Sequence, residues 1–167
     1  MSKFTTRQLA TLGVLTAVEI VLNRFLSINA WNIKIGFSFV PIVIAAILYG
    51  PLQAAVVAAL GDFVGAILFP IGAYFPGFTL TAFLTGLVFG FFLHREQTLL
   101  RALCAVLLVQ FVLGLLLNTY WISVLYGSPF VPLLATRVVQ AGLLTVVQTV
   151  TILAIARVIP RLRRVTA

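Results

Sequence analysis

The chain has 167 residues, of which 62% are hydrophobic and only 8% are charged. Soluble globular chains carry roughly 25% charged residues, so this chain has too few charges to cover a solvated surface. Its mean hydropathy of +1.20 therefore indicates that lipid faces most of the protein. The length suits one domain, residues 1–167, with at most about six or seven membrane-spanning helices.

The formal net charge is +8, from eleven basic and three acidic residues. The basic residues are spread over span ends and loops instead of one solvated face, so nucleic acid is not expected as a partner. Cys104, the only cysteine, lies in an apolar run and is expected to pack as a small hydrophobe. The sequence has no nucleophile–base set, phosphate-binding loop or metal-ligand cluster, so no catalytic residue, metal ligand or resident cofactor is expected.

Six apolar stretches alternate with polar or proline- and glycine-rich connectors, and each is predicted to cross a membrane as a helix. Lys3 and Arg7 precede the first stretch, but no small-x-small cleavage site follows cleanly, so this stretch is interpreted as a retained helix. Gly50-Pro51 is predicted to end the second span sharply, because proline cannot continue the helix. The predicted spans are Phe4–Leu26, Phe39–Tyr49, Leu52–Phe69, Phe78–Leu93, Leu99–Val124 and Val131–Ile159.

The basic residues are distributed unevenly between the two sides that six spans define. One side has Lys34, with Arg24 and Arg137 near it. Since basic residues accumulate on the cytoplasmic side, the other side, which includes both termini, is predicted to be cytoplasmic. That side has Lys3, Arg7, Arg95, Arg101, Arg157, Arg161, Arg163 and Arg164.

Polar side chains collect at the opposite, outer ends of the spans. Charged groups at membrane depth are costly and usually face a bundle interior or a cavity. Arg24, Arg137 and Lys34 outnumber the one acid expected near them, Glu19, which predicts an anion site, since arginine can bind a carboxylate bidentately. The alternative is a structural ion pair, for example between Glu19 and Arg137.

Small residues and one further carboxylate mark two helices. Asp62, near the middle of span 3, is expected to bond to a neighbouring helix, with ligand recognition as the alternative. Gly61 and Gly65 beside it form a small-xxx-small pair that lets another helix approach closely. In span 1, a stripe of small residues indicates either packing within the protein or a docking surface for a membrane partner; its members are Ala10, Gly13 and Ala17.

The chain contains several distinctive motifs, of which the run from Phe69 to Leu80, FPIGAYFPGFTL, is the most specific. The others are Asn23–Ile28, Ile35–Phe37, Leu117–Trp121, Gly50-Pro51 and Gly61-Asp62. Together these segments resemble the folate-specific S components of energy-coupling-factor (ECF) vitamin transporters, and the resemblance covers nearly the whole chain.

The resemblance implies an all-α, six-transmembrane-helix bundle in the bacterial plasma membrane, with both termini inside. It implies an outer pocket capped by loops 1, 3 and 5, a transmembrane coupling protein, and two cytoplasmic ATPases that bind ATP. Coupling-protein contact is expected through Ala10, Gly13 and Ala17, where Gly13 replaces an alanine of the family pattern. The residues expected to bind folate are Asn23, Arg24, Lys34, Phe37, Tyr74, Phe75, Asn118, Trp121 and Arg137.

Within that set, Arg24 with Lys34 or Arg137 suits the anionic tail of folate, aromatic residues suit the flat pterin, and Asn118 suits its hydrogen-bonding edge. Interfacial aromatics are also explained by a lipid-facing belt. An S component for riboflavin, thiamine or queuosine is the alternative specificity. A lipid-acting membrane enzyme, for which only Glu19 and Asp62 are available, and an assembly subunit without a ligand are further alternatives.

Overall fold

The computed structural model describes residues 5–30 and 33–166, and the side chains within these ranges except those of residues 29, 30, 33, 34 and 160–166. Its helices correspond to the six predicted spans, which confirms the six-helix architecture. The helices are α1 (Thr6–Arg24), α2 (Phe39–Tyr49), α3 (Pro51–Leu68), α4 (Pro76–Leu93), α5 (Leu99–Tyr126) and α6 (Phe130–Thr166).

A short β-hairpin connects α1 to α2, where the sequence predicted only a polar connector. Strand β1 (Ile28–Ala30) pairs antiparallel with β2 (Ile33–Ile35). The register places Ile28 opposite Ile35 and Asn29 opposite Lys34. Three-residue strands give too little periodicity for recognition from sequence.

Two prolines begin helices, which moves two predicted boundaries. Gly50 adopts a positive φ of 103°, a conformation that glycine adopts without steric cost, so the chain reverses there. Pro51 then begins α3 and Pro76 begins α4, each within the first turn. The fixed φ of proline is already helical, and the missing N–H is not needed in that turn.

Helix α5 is continuous but changes its hydrogen-bonding pattern along its length. It is α-helical over Leu99–Leu107, π-helical over Leu108–Leu117 and α-helical again over Asn118–Tyr126. Cys104 on this helix is exposed, so the prediction that it packs inside the protein is wrong. Its side chain points outward because Ala102, Ala105 and Val106 occupy the buried face of that turn.

Helix connections group at two ends of the bundle. At one end, Nδ1 of His94, just after α4, lies 3.2 Å from the carbonyl oxygen of Ala46 in α2. At the other, a Cβ built on Gly72 would lie 3.3 Å from the hydroxyl oxygen of Tyr126. The loop before α4 and the turn after α5 therefore meet at the end opposite His94.

The hydrophobic core fills the half of the bundle near His94. Ile47, Leu93 and Ala102 have no exposed surface there. Helix α4 packs most extensively on α3, and a Cβ at Gly86 would lie 2.5 Å from the carbonyl oxygen of Ala54. Glycine is thus required where these two backbones touch.

Four helices of the described chain are long and apolar enough to cross a membrane: α3, α4, α5 and the Phe130–Ile159 part of α6. Helix α1 has 19 residues but carries Arg7, Glu19 and Arg24. Helix α2 has 11 residues, about 16 Å of helix, whereas the hydrocarbon core is about 30 Å thick. Non-helical residues precede α2 and line a cavity, which is where irregular backbone is tolerated at membrane depth.

Candidate ligand-binding site

A cavity of about 450 Å³ lies in the half of the bundle opposite His94. Its walls come from all six helices and from the loop between α3 and α4, residues 69–75. The polar and charged members of its lining are Glu19, Asn23, Arg24, Ser38, Asp62, Tyr74, Thr81, Thr85, Gln110, Asn118, Tyr126, Arg137, Gln140 and Gln148. The volume suits a small organic molecule, since ligand pockets are typically about 300–1,000 Å³.

Arg24, at the end of α1, reaches Asp62 of α3. Its Nη2 lies 3.7 Å from Oδ1 of Asp62 and donates to the backbone oxygen of the same residue at 3.2 Å. The carboxylate also accepts a 2.9 Å hydrogen bond from Thr79, whose hydroxyl lies 3.3 Å from that of Tyr74. A polar chain thus links Arg24 to the loop that borders the cavity.

Arg137 of α6 is the second basic residue of the cavity lining. Its Nη1 donates to Oγ1 of Thr119 at 3.1 Å, and Thr119 is fully buried. Oε1 of Glu19 instead accepts a 2.8 Å hydrogen bond from Asn23, one helical turn away. An ion pair between Glu19 and Arg137, the alternative that sequence reasoning offered, stays a prediction.

The charge balance of the described lining differs from the expectation. Two basic residues, Arg24 and Arg137, face two acidic ones, Glu19 and Asp62. The expectation of a single nearby acid is wrong because Asp62 lies close enough to Arg24 to pair with it. The pair is long for a salt bridge, and the Nε atoms of both arginines are buried without a hydrogen-bond partner within the described chain. Both guanidinium groups therefore keep donors for an anion.

Glycines in α3 create the space for the polar groups of α1. A Cβ on Gly65 would lie 2.9 Å from Nε of Arg24, and a Cβ on Gly61 would overlap the carboxylate of Glu19. The predicted neighbour at this small-xxx-small pair is therefore helix α1, which reaches the two glycines through the side chains of Glu19 and Arg24 and not through its backbone.

The predicted aromatic residues occupy different positions. Tyr74 and Phe75 line the cavity. Trp121 is outside the described lining: it packs on Phe75 with ring centroids 5.5 Å apart and donates from Nε1 to Thr81 at 3.1 Å. Phe37 is half-exposed beside Phe39 and is also outside that lining.

Of the nine residues predicted to bind ligand, six line the cavity. They are Asn23, Arg24, Tyr74, Phe75, Asn118 and Arg137. The side chain of Lys34 lies outside the described part of the chain, as do Trp31 and Asn32. Ligand contact by any of the nine stays a prediction.

Sequence reasoning missed the three glutamines of the described lining, which are Gln110, Gln140 and Gln148. Each interrupts a long apolar span, and a polar residue at membrane depth is itself a signal of a cavity or a polar partner. Thr81 and Thr85 carried a weaker signal, because hydroxyl groups in helices are commonly satisfied by a carbonyl oxygen of the preceding turn. Both make that bond here, Thr81 to Gly77 and Thr85 to Thr81.

The stripe of small residues on α1 lies on the outside of the described bundle. Ala10, Gly13 and Ala17 are all exposed, and a Cβ on Gly13 would meet no atom within 4 Å. Packing within the protein, one of the two interpretations of this stripe, therefore does not explain it.

Comparisons with known proteins agree with this architecture. A family described as "ECF transporter, substrate-specific component" matches residues 7–156. The chain is 36% identical over 152 residues to the folate transporter FolT of Clostridium novyi, covering 90% of this chain and 88% of the relative. It is 34% identical over 128 residues to FolT of Leuconostoc mesenteroides, covering 75% of this chain and 69% of the relative.

A solved structure shares the fold as well. The crystal structure of FolT bound with folic acid superimposes with a TM-score of 0.86 at 33% identity, covering 90% of this chain and 93% of that one. The family match, the two relatives and the superposition extend over most of the chain. The chain belongs to the family of substrate-specific components of ECF transporters.

Proposed function

We propose that this protein is the folate-binding S component of an ECF-type ABC transporter. The observation that carries the proposal is the cavity bordered by Arg24 and Arg137, both of which keep a buried, unpaired Nε within the described chain. The two FolT relatives and the structure of FolT bound with folic acid support folate as the ligand.

The chemistry of the lining suits the two ends of folate. The glutamate tail carries two carboxylates, which arginine binds through paired N–H donors. Arg24 is the principal residue for this role, with Arg137 as the second. Tyr74 and Phe75 offer aromatic surface to a flat ring, and Asn118, whose Oδ1 is buried and unpaired within the described chain, offers an acceptor.

The cavity end of the bundle faces outward in this proposal. The positive-inside rule places the end that includes His94, with both termini, in the cytoplasm. The protein then lies in the bacterial plasma membrane and captures folate from outside.

Energy for uptake comes from other subunits in this proposal. Two cytoplasmic ATPases bind and hydrolyse ATP, a transmembrane coupling protein connects them to the S component, and the S component contributes no cofactor or chemistry of its own. The exposed stripe formed by Ala10, Gly13 and Ala17 is the proposed contact with the coupling protein, since small residues let a second helix approach closely.

Ligand identification tests the proposal directly. The protein is purified in mild detergent, co-purified small molecules are identified by mass spectrometry, and folate binding is titrated on ligand-depleted protein. A stoichiometric folate, with saturable rebinding, is expected. A stoichiometric ligand of another class, such as riboflavin or thiamine, contradicts the specificity, and the lack of any saturable ligand contradicts the transport role.

A further inference from the structure

Asp62 of α3 divides its carboxylate between two neighbouring helices. Its Oδ1 lies 3.7 Å from Nη2 of Arg24 in α1, and its Oδ2 accepts a 2.9 Å hydrogen bond from Thr79 in α4. A hydrogen bond from nitrogen to oxygen normally spans about 2.7–3.2 Å. The carboxylate is therefore bonded to the hydroxyl group of Thr79, whereas charge alone attracts it to Arg24.

The described part of the chain satisfies Arg24 only in part. Its Nη2 donates to the backbone oxygen of Asp62 at 3.2 Å, but its Nε is buried without a hydrogen-bond partner among the described residues. The side chain is 10% exposed, so water contributes little to satisfying it. An anion that enters the cavity therefore meets a buried cation whose own counter-ion is beyond hydrogen-bond distance.

Thr79 stabilises the carboxylate of Asp62 from a position outside the described cavity lining. Its hydroxyl group has one proton, which it donates to Asp62, so the hydroxyl of Tyr74, 3.3 Å away, is the donor in the contact between these two residues. Both hydroxyl dipoles then point toward the carboxylate, and each strengthens the effect of the other. Asp62 therefore keeps polar partners when Arg24 turns to another anion.

We propose that Asp62 is an exchangeable counter-ion of Arg24, which holds the guanidinium group before the ligand binds and yields it to an anionic group of the ligand. The displaced carboxylate keeps its hydrogen bond to Thr79 and stays close enough to repel the charge of the ligand. Asp62 thus makes the affinity for an anionic ligand lower than Arg24 alone would give, which favours release. The inference rests on the proposed function and adds the residue that limits affinity at this site.

Loss of this carboxylate has opposite effects on stability and on binding. Asp62→Asn keeps the size of the side chain and an oxygen that accepts from Thr79, but it leaves Arg24 buried without a counter-ion, which is unfavourable. The ligand-free variant should therefore have a lower melting temperature than the wild type. An anionic ligand should bind the variant more tightly, because it then supplies the missing counter-ion. A carboxylate with a purely structural role would lower both stability and affinity when removed.

The test compares three compounds on the purified full-length protein: folate, p-aminobenzoylglutamate, which has the anionic tail without the pterin ring, and unsubstituted pterin, which has the ring without the tail. Asp62→Asn is expected to bind folate and p-aminobenzoylglutamate at least about fivefold more tightly than the wild type, because a nearby like charge is removed. Pterin carries no carboxylate and should bind both proteins equally. Thermal unfolding without ligand should show the lower melting temperature of the variant.

A second variant, Thr79→Val, removes the other partner of the carboxylate and leaves both charges in place. Asp62 should then hold Arg24 more firmly, so folate binding should weaken at least about threefold, as expected for the loss of one hydrogen bond. In the Asp62→Asn background, the same change should leave folate affinity unaltered, because the competing charge is gone. Thr79→Val also decides the question by itself if Asp62→Asn does not fold.

Glu96→Gln is the matched control for the loss of an acid beside an arginine. Glu96 lies 3.1 Å from Arg101 in an exposed pair in the loop after His94, at the end of the bundle opposite the cavity. The substitution removes the same charge as Asp62→Asn, and it should change none of the three affinities. A gain in folate affinity that occurs only in Asp62→Asn is therefore a local effect of the exchange with Arg24.

The outcomes for the proposed function and for this inference are distinct. Wild-type affinity for folate tests the function, whereas the ratio of variant to wild-type affinity tests the inference. Unchanged or weaker binding of folate and p-aminobenzoylglutamate by Asp62→Asn overturns the inference. An equal gain for pterin also overturns it, because Asp62 then affects the whole cavity and not the anionic group alone. A wild type that binds neither of the two anionic compounds overturns both the function and the inference.

Discussion

At the scale of single residues, the contact between Arg24 and Asp62 determines the charge of the cavity. Their side chains are 10% and 18% exposed, so both are largely removed from water. A carboxylate that neutralises Arg24 lowers the cost of burying this cation when no ligand is bound. It also competes with an anionic ligand for the same guanidinium group.

Replacement of Arg24 tests whether it binds the tail of folate. Arg24→Ala is expected to weaken folate binding by about 2–5 kcal/mol, at least about 30-fold, because a largely desolvated charge pair is lost. Isothermal titration or fluorescence quenching measures the change. Arg101→Ala is the matched control: Arg101 forms an exposed pair with Glu96, and such pairs contribute little.

A double variant isolates the role of Arg24 from that of its partner. In Arg24→Ala alone, Asp62 keeps a carboxylate without its cation, and this charge repels an anionic ligand. Arg24→Ala combined with Asp62→Asn removes that repulsion. If the double variant still binds folate weakly, the loss is due to Arg24 itself. If it binds folate as tightly as the wild type, the only role of Arg24 is to neutralise Asp62.

Gly61 is expected to tolerate no side chain. Alanine normally stabilises a helix relative to glycine by about 0.5–1 kcal/mol. At Gly61 the added Cβ overlaps the carboxylate of Glu19, so Gly61→Ala should lower the free energy of unfolding by about 1–3 kcal/mol. Thermal unfolding in detergent measures this change.

Gly142 provides the matched glycine for that experiment. It lies on the outside of α6, and a Cβ there would meet no atom within 4 Å. Gly142→Ala should leave the melting temperature unchanged or raise it slightly. A Gly61→Ala variant as stable as Gly142→Ala would mean that α1 does not pack on α3 as described.

At the scale of elements, α1 has two faces with different tasks. One face turns Glu19 and Asn23 into the bundle, where both are buried. The opposite face exposes the small residues, and this is the proposed docking surface. Because the two faces are separate, ligand binding and coupling should respond to different substitutions.

Gly13→Leu tests the docking face. The larger side chain should block close approach of a coupling helix and reduce folate uptake in cells by at least about tenfold. Folate binding by the purified protein should be unchanged, since Gly13 faces away from the cavity. Gly142→Leu adds a side chain of the same size to α6 and serves as the control. Normal uptake by Gly13→Leu would show that the coupling protein contacts another surface.

At the scale of the whole molecule, we predict the direction in which the protein is inserted, with the cavity end of the bundle facing outward. In a Cys104→Ser background, a single cysteine is introduced either at Glu96, in the loop after α4, or at Ser128, in the turn after α5. A membrane-impermeant maleimide applied to intact cells should label the Ser128→Cys protein and leave the Glu96→Cys protein unlabelled. The reverse pattern would place the cavity on the cytoplasmic side.

The sequence by itself determined the membrane environment, the number of helices and the side of the bundle where polar groups collect. These properties follow from hydropathy over about 20 residues, from Gly50-Pro51 and similar breaks, and from the distribution of basic residues. Each of these signals can be read from a short segment or summed over the chain without knowledge of which helices touch. Six of the nine predicted ligand-binding residues line the cavity. For Asn23, Arg24, Asn118 and Arg137 the reason is that costly polar groups at membrane depth have few other places to lie.

Only the tertiary structure decided which charges meet. Arg24 and Asp62 are 38 positions apart, and nothing local indicates that the glycines of α3 bring them together. The π-helical part of α5 and the presence of Gln110 and Gln148 in the lining of one cavity likewise depend on contacts between helices. Such contacts come from packing in three dimensions, which hydropathy and spacing along one helix do not encode.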